Sequence, residues 1–178
     1  MSIANKNVLR RLAFASSLMT LSLAAHADST ASASASARIV SPIALTKTTD
    51  LNFGTLAVGA VGGNVAISTA DVVSISGAGT TVTQPPSNIG TPAAAVFSVT
   101  GEAGFTYAIT LPADGAVTIS DGASHTMAVN TFTSNPGTTG TLSGAGTGSL
   151  KVGATLVVGN NQAPGTYSGT FSVTVAYN

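Results

Sequence analysis

The sequence predicts an all-β protein, an immunoglobulin-like antiparallel β-sandwich, on three observations. From residue 28 onward, apolar residues recur at every second position and nowhere with the three-to-four-residue period of a helix. The alternating runs are short and separated by segments rich in Gly, Pro, Asn, Ser and Thr, the spacing of a two-sheet sandwich. Finally, 44% of the chain is hydrophobic and only 7% is charged, against roughly 25% charged in ordinary globular domains. Such a chain can build a core but has little charge with which to protect its strand edges.

Residues 1–27 read as a secretory signal peptide and are set apart from the fold. Lys6, Arg10 and Arg11 precede an apolar run over residues 12–23, and Ala25-His26-Ala27 offers the small-x-small pattern cleaved before Asp28. Export to the periplasm, cell surface or medium follows. The remaining 151 residues suit one domain, which buries about 68–70% of the surface its unfolded chain exposes. The expected organisation is an Ala/Ser-rich extension over residues 28–38 and a single sandwich over residues 39–178.

The exported part carries Arg38, Lys47 and Lys151 against Asp28, Asp50, Asp71, Glu102, Asp114 and Asp121, a net charge of −3. Three scattered cations cannot displace the counterions of a nucleic acid, so that class of partner is excluded. No later run of eighteen apolar residues provides an integral membrane segment. With no cysteine in the chain, packing and strand pairing alone must hold the exported fold.

The first alternating run covers residues 31–45, with Ala31, Ala33, Ala35, Ala37, Ile39, Ile43 and Leu45 on one parity and Ser32, Ser34, Ser36 and Arg38 on the other. Alanine is a weak strand former, so the first half of this run needs a partner to hold its shape. Pro42 marks an edge or a bend. Short strands are expected at residues 50–54 and 65–67, and residues 77–92, with Pro85-Pro86, read as a long exposed loop. Residues 96–100 and 106–111 then predict a hairpin across Gly101-Glu102-Ala103-Gly104.

Weaker strands are expected at residues 117–120 and 126–132, followed by a Gly/Thr/Ser loop over residues 135–148. The last two strands are the clearest. Leu150, Val152, Ala154, Leu156 and Val158 share one face, and Tyr167, Phe171, Val173, Val175 and Tyr177 share another, with residues 160–165 as the turn between them. Gly-Thr recurs at 54, 79, 90, 137, 140, 146, 165 and 169 without a fixed interval, which marks turns and edges, not a solenoid.

No constellation carries the signature of catalysis, and no cofactor is implied. Asp121, Ser124 and His125 lie together on one turn, but a triad requires convergence around an oxyanion hole; a solvated loop is the plainer reading. One histidine after residue 27 and no cysteine leave zinc without ligands. Asp50 with Asn52, or Asp114 with Asp121, could offer oxygens to calcium, although no calcium-loop pattern is present and turn capping explains them. The run Gly144-Ala145-Gly146-Thr147-Gly148 lacks the lysine and following helix of a phosphate loop. Glu102 and Asp114 as a glycosidase pair would lack any tryptophan platform.

The two ends of the exported chain carry the functional signal. Phe171, Val173, Val175 and the penultimate Tyr177 alternate, with Gly165 upstream. This resembles the C-terminal signature of chaperone-usher pilus subunits, and residues 165–175 are similar to the ending of the archaic pilin and spore-coat-protein-U group. The resemblance implies self-association and a periplasmic chaperone and usher as partners. A broader resemblance, over residues 31–178, is to the DUF4402 family of exported bacterial proteins. It rests on Ala37-Arg38-Ile39-Val40-Ser41-Pro42-Ile43, Asp50-Leu51-Asn52-Phe53-Gly54, Phe97-Ser98-Val99-Thr100-Gly101, Tyr107-Ala108-Ile109-Thr110-Leu111-Pro112 and Asn161-Gln162-Ala163-Pro164-Gly165-Thr166-Tyr167, and it implies no particular activity.

Ala31, Ala33, Ala35, Ala37 and Ile39 would suit a strand donated to a neighbour's groove, while Gly165, Phe171, Val173, Val175 and Tyr177 are the assembly residues that, as the pilus resemblance implies, engage a periplasmic chaperone. The plainer reading is that the same residues form the first strand of their own sandwich behind a disordered Ala/Ser tail, because pairing within one chain costs no association entropy. The expected function is a pilin-like or adhesin-like structural surface protein. The competing expectation is a self-contained binding module, for instance for carbohydrate, that uses the loops over residues 77–92 and 135–148.

Overall fold

The computed structural model describes residues 28–86 and 90–178, so the segment read as a signal peptide, residues 1–27, lies outside the described residues. The chain divides between Ala37 and Arg38. Residues 28–37 are exposed throughout and adopt no regular secondary structure. The body that follows is all-β, an antiparallel sandwich with no helix among its described residues. None of the described chain is therefore a helix long and apolar enough to cross a membrane.

The strands are β1 (Ala44–Thr49), β2 (Gly63–Ile67), β3 (Val73–Ser76), β4 (Ala95–Thr100), β5 (Thr106–Thr110), β6 (Val117–Ser120), β7 (Thr126–Asn135), β8 (Thr139–Thr141), β9 (Thr147–Val158) and β10 (Thr174–Tyr177). The alternation expected over residues 31–45 becomes a ladder only from Ala44, where β1 pairs with β4. The Ala/Ser half ahead of it forms no strand, as weak intrinsic propensity without a partner dictates.

β9 organises the larger sheet. Along one edge it pairs first with β4, over residues 147–152, and then with β2, over residues 154–158. β7 pairs with residues 151–157 and must therefore occupy the opposite edge, carrying β6 beyond it. β1 and β3 complete the order β1-β4-β9-β2-β3. The predicted face of Leu150, Val152, Ala154, Leu156 and Val158 is buried at every position. Burial on alternate residues of one strand is the direct consequence of its period of two.

A bulge in β7 turns that periodicity over. Asn130 pairs with Thr155 and Thr133 with Gly153, so Thr131 and Phe132 together oppose Ala154. Thr131 takes up the distortion at φ 50°, and its N–H is held by Asp114 Oδ1 at 2.6 Å. Met127 and Val129 face inward before the bulge, and Phe132 packs against the core after it.

The smaller sheet has the order β10-β5-β8. It corrects two expectations. β4 and β5 do not form a hairpin: β4 belongs to the large sheet and β5 to the small one, and the intervening turn crosses the core. β9 and β10 likewise do not pair with each other. In both cases two alternating apolar faces meet across the sandwich, as Phe97 and Val99 meet Tyr107 and Ile109. Alternation reports which way a side chain points, and a partner across the core requires the same pattern as a partner along an edge.

Two loop expectations also change. Within residues 77–92, Val82 is buried and Thr83 bridges to Ala57, so part of this loop belongs to the core. Within residues 135–148 lies β8, and residues 143–147 make a tight turn closed by Ser143 N to Thr147 O at 2.9 Å.

Candidate functional site

The small sheet covers only part of the large one. Beneath β5 and β10, the cluster of Phe97, Val99, Tyr107, Ile109, Leu142 and Leu150 is sealed between two layers. The other half of the large sheet presents Val117, Met127, Val129, Leu156 and Val158, and there the facing layer consists of irregular chain. Residues 50–58 and 162–171 stand on either side of a groove of ≈ 1040 Å³ with these apolar residues and Ile119 along its floor.

The wall at residues 162–171 explains why the last predicted strand is shorter than its sequence pattern. Phe171, Val173, Val175 and Tyr177 are half-buried, and Ser172, Thr174, Ala176 and Asn178 are exposed. The side-chain alternation is therefore complete, but the ladder is not. Thr174 pairs with Thr110 in β5, so the next hydrogen-bonded partner, two residues further along each chain, would join Ser172 to Pro112. Proline has no N–H to donate, and the ladder stops.

Upstream, Ser168 exchanges two hydrogen bonds with Ser120 in β6, each 2.9 Å. Between these two anchors, residues 169–173 make no backbone–backbone hydrogen bond. This is an extended segment with strand-like alternation and no backbone hydrogen bond to a neighbouring strand, beside an apolar groove. Unpaired edge groups of this kind are a template for pairing with another strand.

Gly169 makes the arrangement possible. A Cβ there would lie 2.6 Å from Thr118 O and 3.2 Å from Ile119 Cα, so only glycine lets this segment approach β6. Sequence reasoning singled out Gly165 instead, which lies exposed at the rim beside Asp121. The repeated Gly-Thr pairs were the available signal for Gly169, but they could not distinguish a close approach from an ordinary turn. Phe171 is the junction of the two clusters, its ring 5.1 Å from that of Phe132 and 6.4 Å from that of Phe97. Val173, Val175 and Tyr177 continue onto the sealed half. Ala31, Ala33, Ala35 and Ala37 lie in the exposed segment before the body, and Ile39, just inside it, is 97% exposed.

The charged residues considered for chemistry serve turns and ties. His125 Nδ1 lies 2.6 Å from Asp121 Oδ2, while the Asp121 Oδ1 accepts from Ala123 N; Ser124 is exposed and joins neither. Asp50 is paired with Lys47, and Asn52 caps its own turn by accepting from Gly54 N. Among the described residues no three of His, Cys, Asp and Glu converge as a metal site. Glu102 and Asp114 have separate tasks: Asp114 holds the β7 bulge, and Glu102 holds the start of the body.

Three of these carboxyls are held below their ordinary range. For Glu102 the main cause is the Ser41 N–H, opposed by partial desolvation and aided by Arg38. For Asp71 it is the Lys151 ammonium and then the Ala94 N–H; for Asp121 it is the His125 side chain and then the Ala123 N–H. A lowered folded-state value means that the contribution is complete above the unfolded value and is lost as pH falls through the folded one. Denaturant titrations should therefore find these contributions intact near neutrality and declining below about pH 4. The triple variant Asp71→Asn, Glu102→Gln, Asp121→Asn should show a flatter acid limb than the native chain.

An antiparallel sandwich whose short second sheet is extended by irregular chain, with an unpaired segment at its groove, defines the class of protein. Residues 43–177 match the family described as Domain of unknown function (DUF4402), and the chain belongs to that family. Comparison with curated proteins and with solved structures finds no match.

Proposed function

We propose that this protein is an exported, non-catalytic structural subunit of the bacterial surface, pilin-like or adhesin-like, which assembles by β-strand complementation. The observation that carries the reading is the backbone of residues 169–173, extended and unpaired beside a groove floored by core residues. A strand laid there would satisfy the free N–H and C=O groups of residues 169–173 and pack beside the half-buried Phe171, above floor residues that the chain already buries. The resemblance of the C-terminal alternation to chaperone-usher pilus subunits supports the same reading. A periplasmic chaperone that lends a temporary strand, and an usher that receives the subunit, are its natural partners.

The exposed alternating segment ahead of the body is the strand that the chain can offer. Deletion of residues 28–37 should leave the thermal midpoint of the isolated subunit unchanged and abolish boiling-sensitive ladders on a denaturing gel. A chain starting at Asp28 that remains strictly monomeric at high concentration, with or without that segment, would sink the proposal and leave a self-contained binding module in its place.

A further inference from the structure

Where Arg38 to Ser41 enter the body they are tied to two distant parts of the fold. Tyr177, the penultimate residue, donates its hydroxyl proton to Ser41 O at 2.8 Å and accepts from Glu102 N at 2.6 Å. The Glu102 side chain then accepts from Ser41 N at 3.1 Å through Oε2 and from Arg38 Nη2 at 2.5 Å through Oε1. Two ring contacts close the arrangement: Phe105 meets Tyr177 edge-on at 5.6 Å, and the Arg38 guanidinium lies 5.8 Å from the centre of the Phe105 ring. Gly101 leaves the space for it, because a Cβ there would sit 2.2 Å from the Tyr177 hydroxyl.

The geometry points to Glu102 and Tyr177 as positioning residues that fix where the N-terminal extension leaves the body, so that the extension fills the groove of a second copy. This deepens the strand-complementation reading and rests on it. The direction of the chain supplies the argument. The last segment runs from Gly169 toward Tyr177, and the extension also runs toward this clasp, because Ala37 is joined to the tied Arg38. Folded back along its own residues 169–173, the extension would lie parallel to them. Every strand pair among the described residues is antiparallel, and parallel pairing is the slightly less stable arrangement per residue.

The extension of a neighbour has no such constraint and can enter antiparallel. Its ten residues from Asp28 span up to about 33–36 Å when extended, which exceeds the five-residue stretch it has to pair. Each copy then both gives and receives, and a contact of this heterologous kind propagates into a filament unless it closes into a ring.

The chain has no cysteine, so engineered pairs report cleanly. An Ala35→Cys chain mixed with a Thr170→Cys chain should cross-link between copies; a chain carrying both that closes only on itself would overturn the assignment to a second copy. The clasp is tested separately with Tyr177→Phe, which keeps the ring, and with Glu102→Gln, which keeps the size of a half-buried side chain while removing its charge. A synthetic peptide of residues 28–41 should bind dilute, unassembled native and variant chains within about twofold of each other, since the groove is untouched. Concentration-dependent assembly of the variants should be weakened at least tenfold for Tyr177→Phe and less for Glu102→Gln. Assembly at the native level in both would overturn the clasp, whereas failure of the peptide to bind any chain would instead sink the strand-complementation reading beneath it.

Discussion

Gly153→Ala is expected to be among the most damaging single substitutions in this protein, costing about 3 kcal/mol or more and lowering the thermal midpoint by roughly 10 °C. Gly153 is buried in β9 at the point where the β4 pairing ends and the β2 pairing begins. An added Cβ would fall 2.2 Å from Ile67 O, 2.9 Å from Ser68 C and 3.1 Å from Thr69 N. All three are backbone atoms. Ile67 is held in the ladder to Ala154, and Ser68 is held in a turn by its bond from N to Val72 O. No rotamer change can relieve the clash, so either the β2–β9 pairing or the bend after it must yield. Gly144→Ala is the matched control, since nothing lies within 4 Å of its added carbon. Equal midpoints for the two variants, measured by calorimetry, would refute the argument.

The second large effect is expected at Phe171. Its ring is wedged between those of Phe97, from the sealed half of the core, and Phe132, which the β7 bulge turns inward. Phe171→Ala should cost about 2–4 kcal/mol, toward the lower part of the range for fully buried phenylalanines because this ring is only half-buried. Phe171 also lines the groove, so its removal opens the space between the two walls and takes away a contact for an incoming strand. Urea unfolding should show the lost stability in the isolated subunit, and complementation by the 28–41 peptide should weaken in parallel. Val157→Ala, at an exposed position of β9, should cost much less.

The alternation in β9 and in residues 171–177 was legible in the sequence because a strand's side-chain period is a local property. Every inward residue named for β9 is buried, and the half-buried and exposed positions of the C-terminal run alternate without a break. Partnership was not legible. The turn at residues 101–104 looked like a hairpin because both flanking runs alternate, yet apart from the local bond from Phe105 N to Glu102 O its backbone bonds go elsewhere, from Gly101 N to Gly146 O and from Gly104 N to Ser143 O. The groove floor was also hidden. Val117, Met127 and Val129 look like any core residues, and whether a layer covers them depends on where the chain goes after Asn160.

The clasp illustrates the same division at the level of single residues. Tyr177 stood out as a penultimate aromatic, but nothing in the order of residues joined it to Glu102 and Ser41, which are 75 and 136 positions away. Pro112 is the instructive exception. Its missing N–H is written in the sequence, but its consequence, an unpaired stretch at residues 169–173, appears only once Thr174 is seen to pair with Thr110.

By itself the sequence determined that this chain is all-β, which residues point inward, where glycine and proline interrupt the strands, and that its family is DUF4402. Only the tertiary structure decided which strands share a sheet, that the second sheet stops short and gives way to irregular chain, and that the last strand loses its partner before it reaches the groove. The physical reason is range. Side-chain direction follows from dihedral angles a residue or two apart, whereas pairing and coverage follow from contacts between segments that fold back on one another from across the chain.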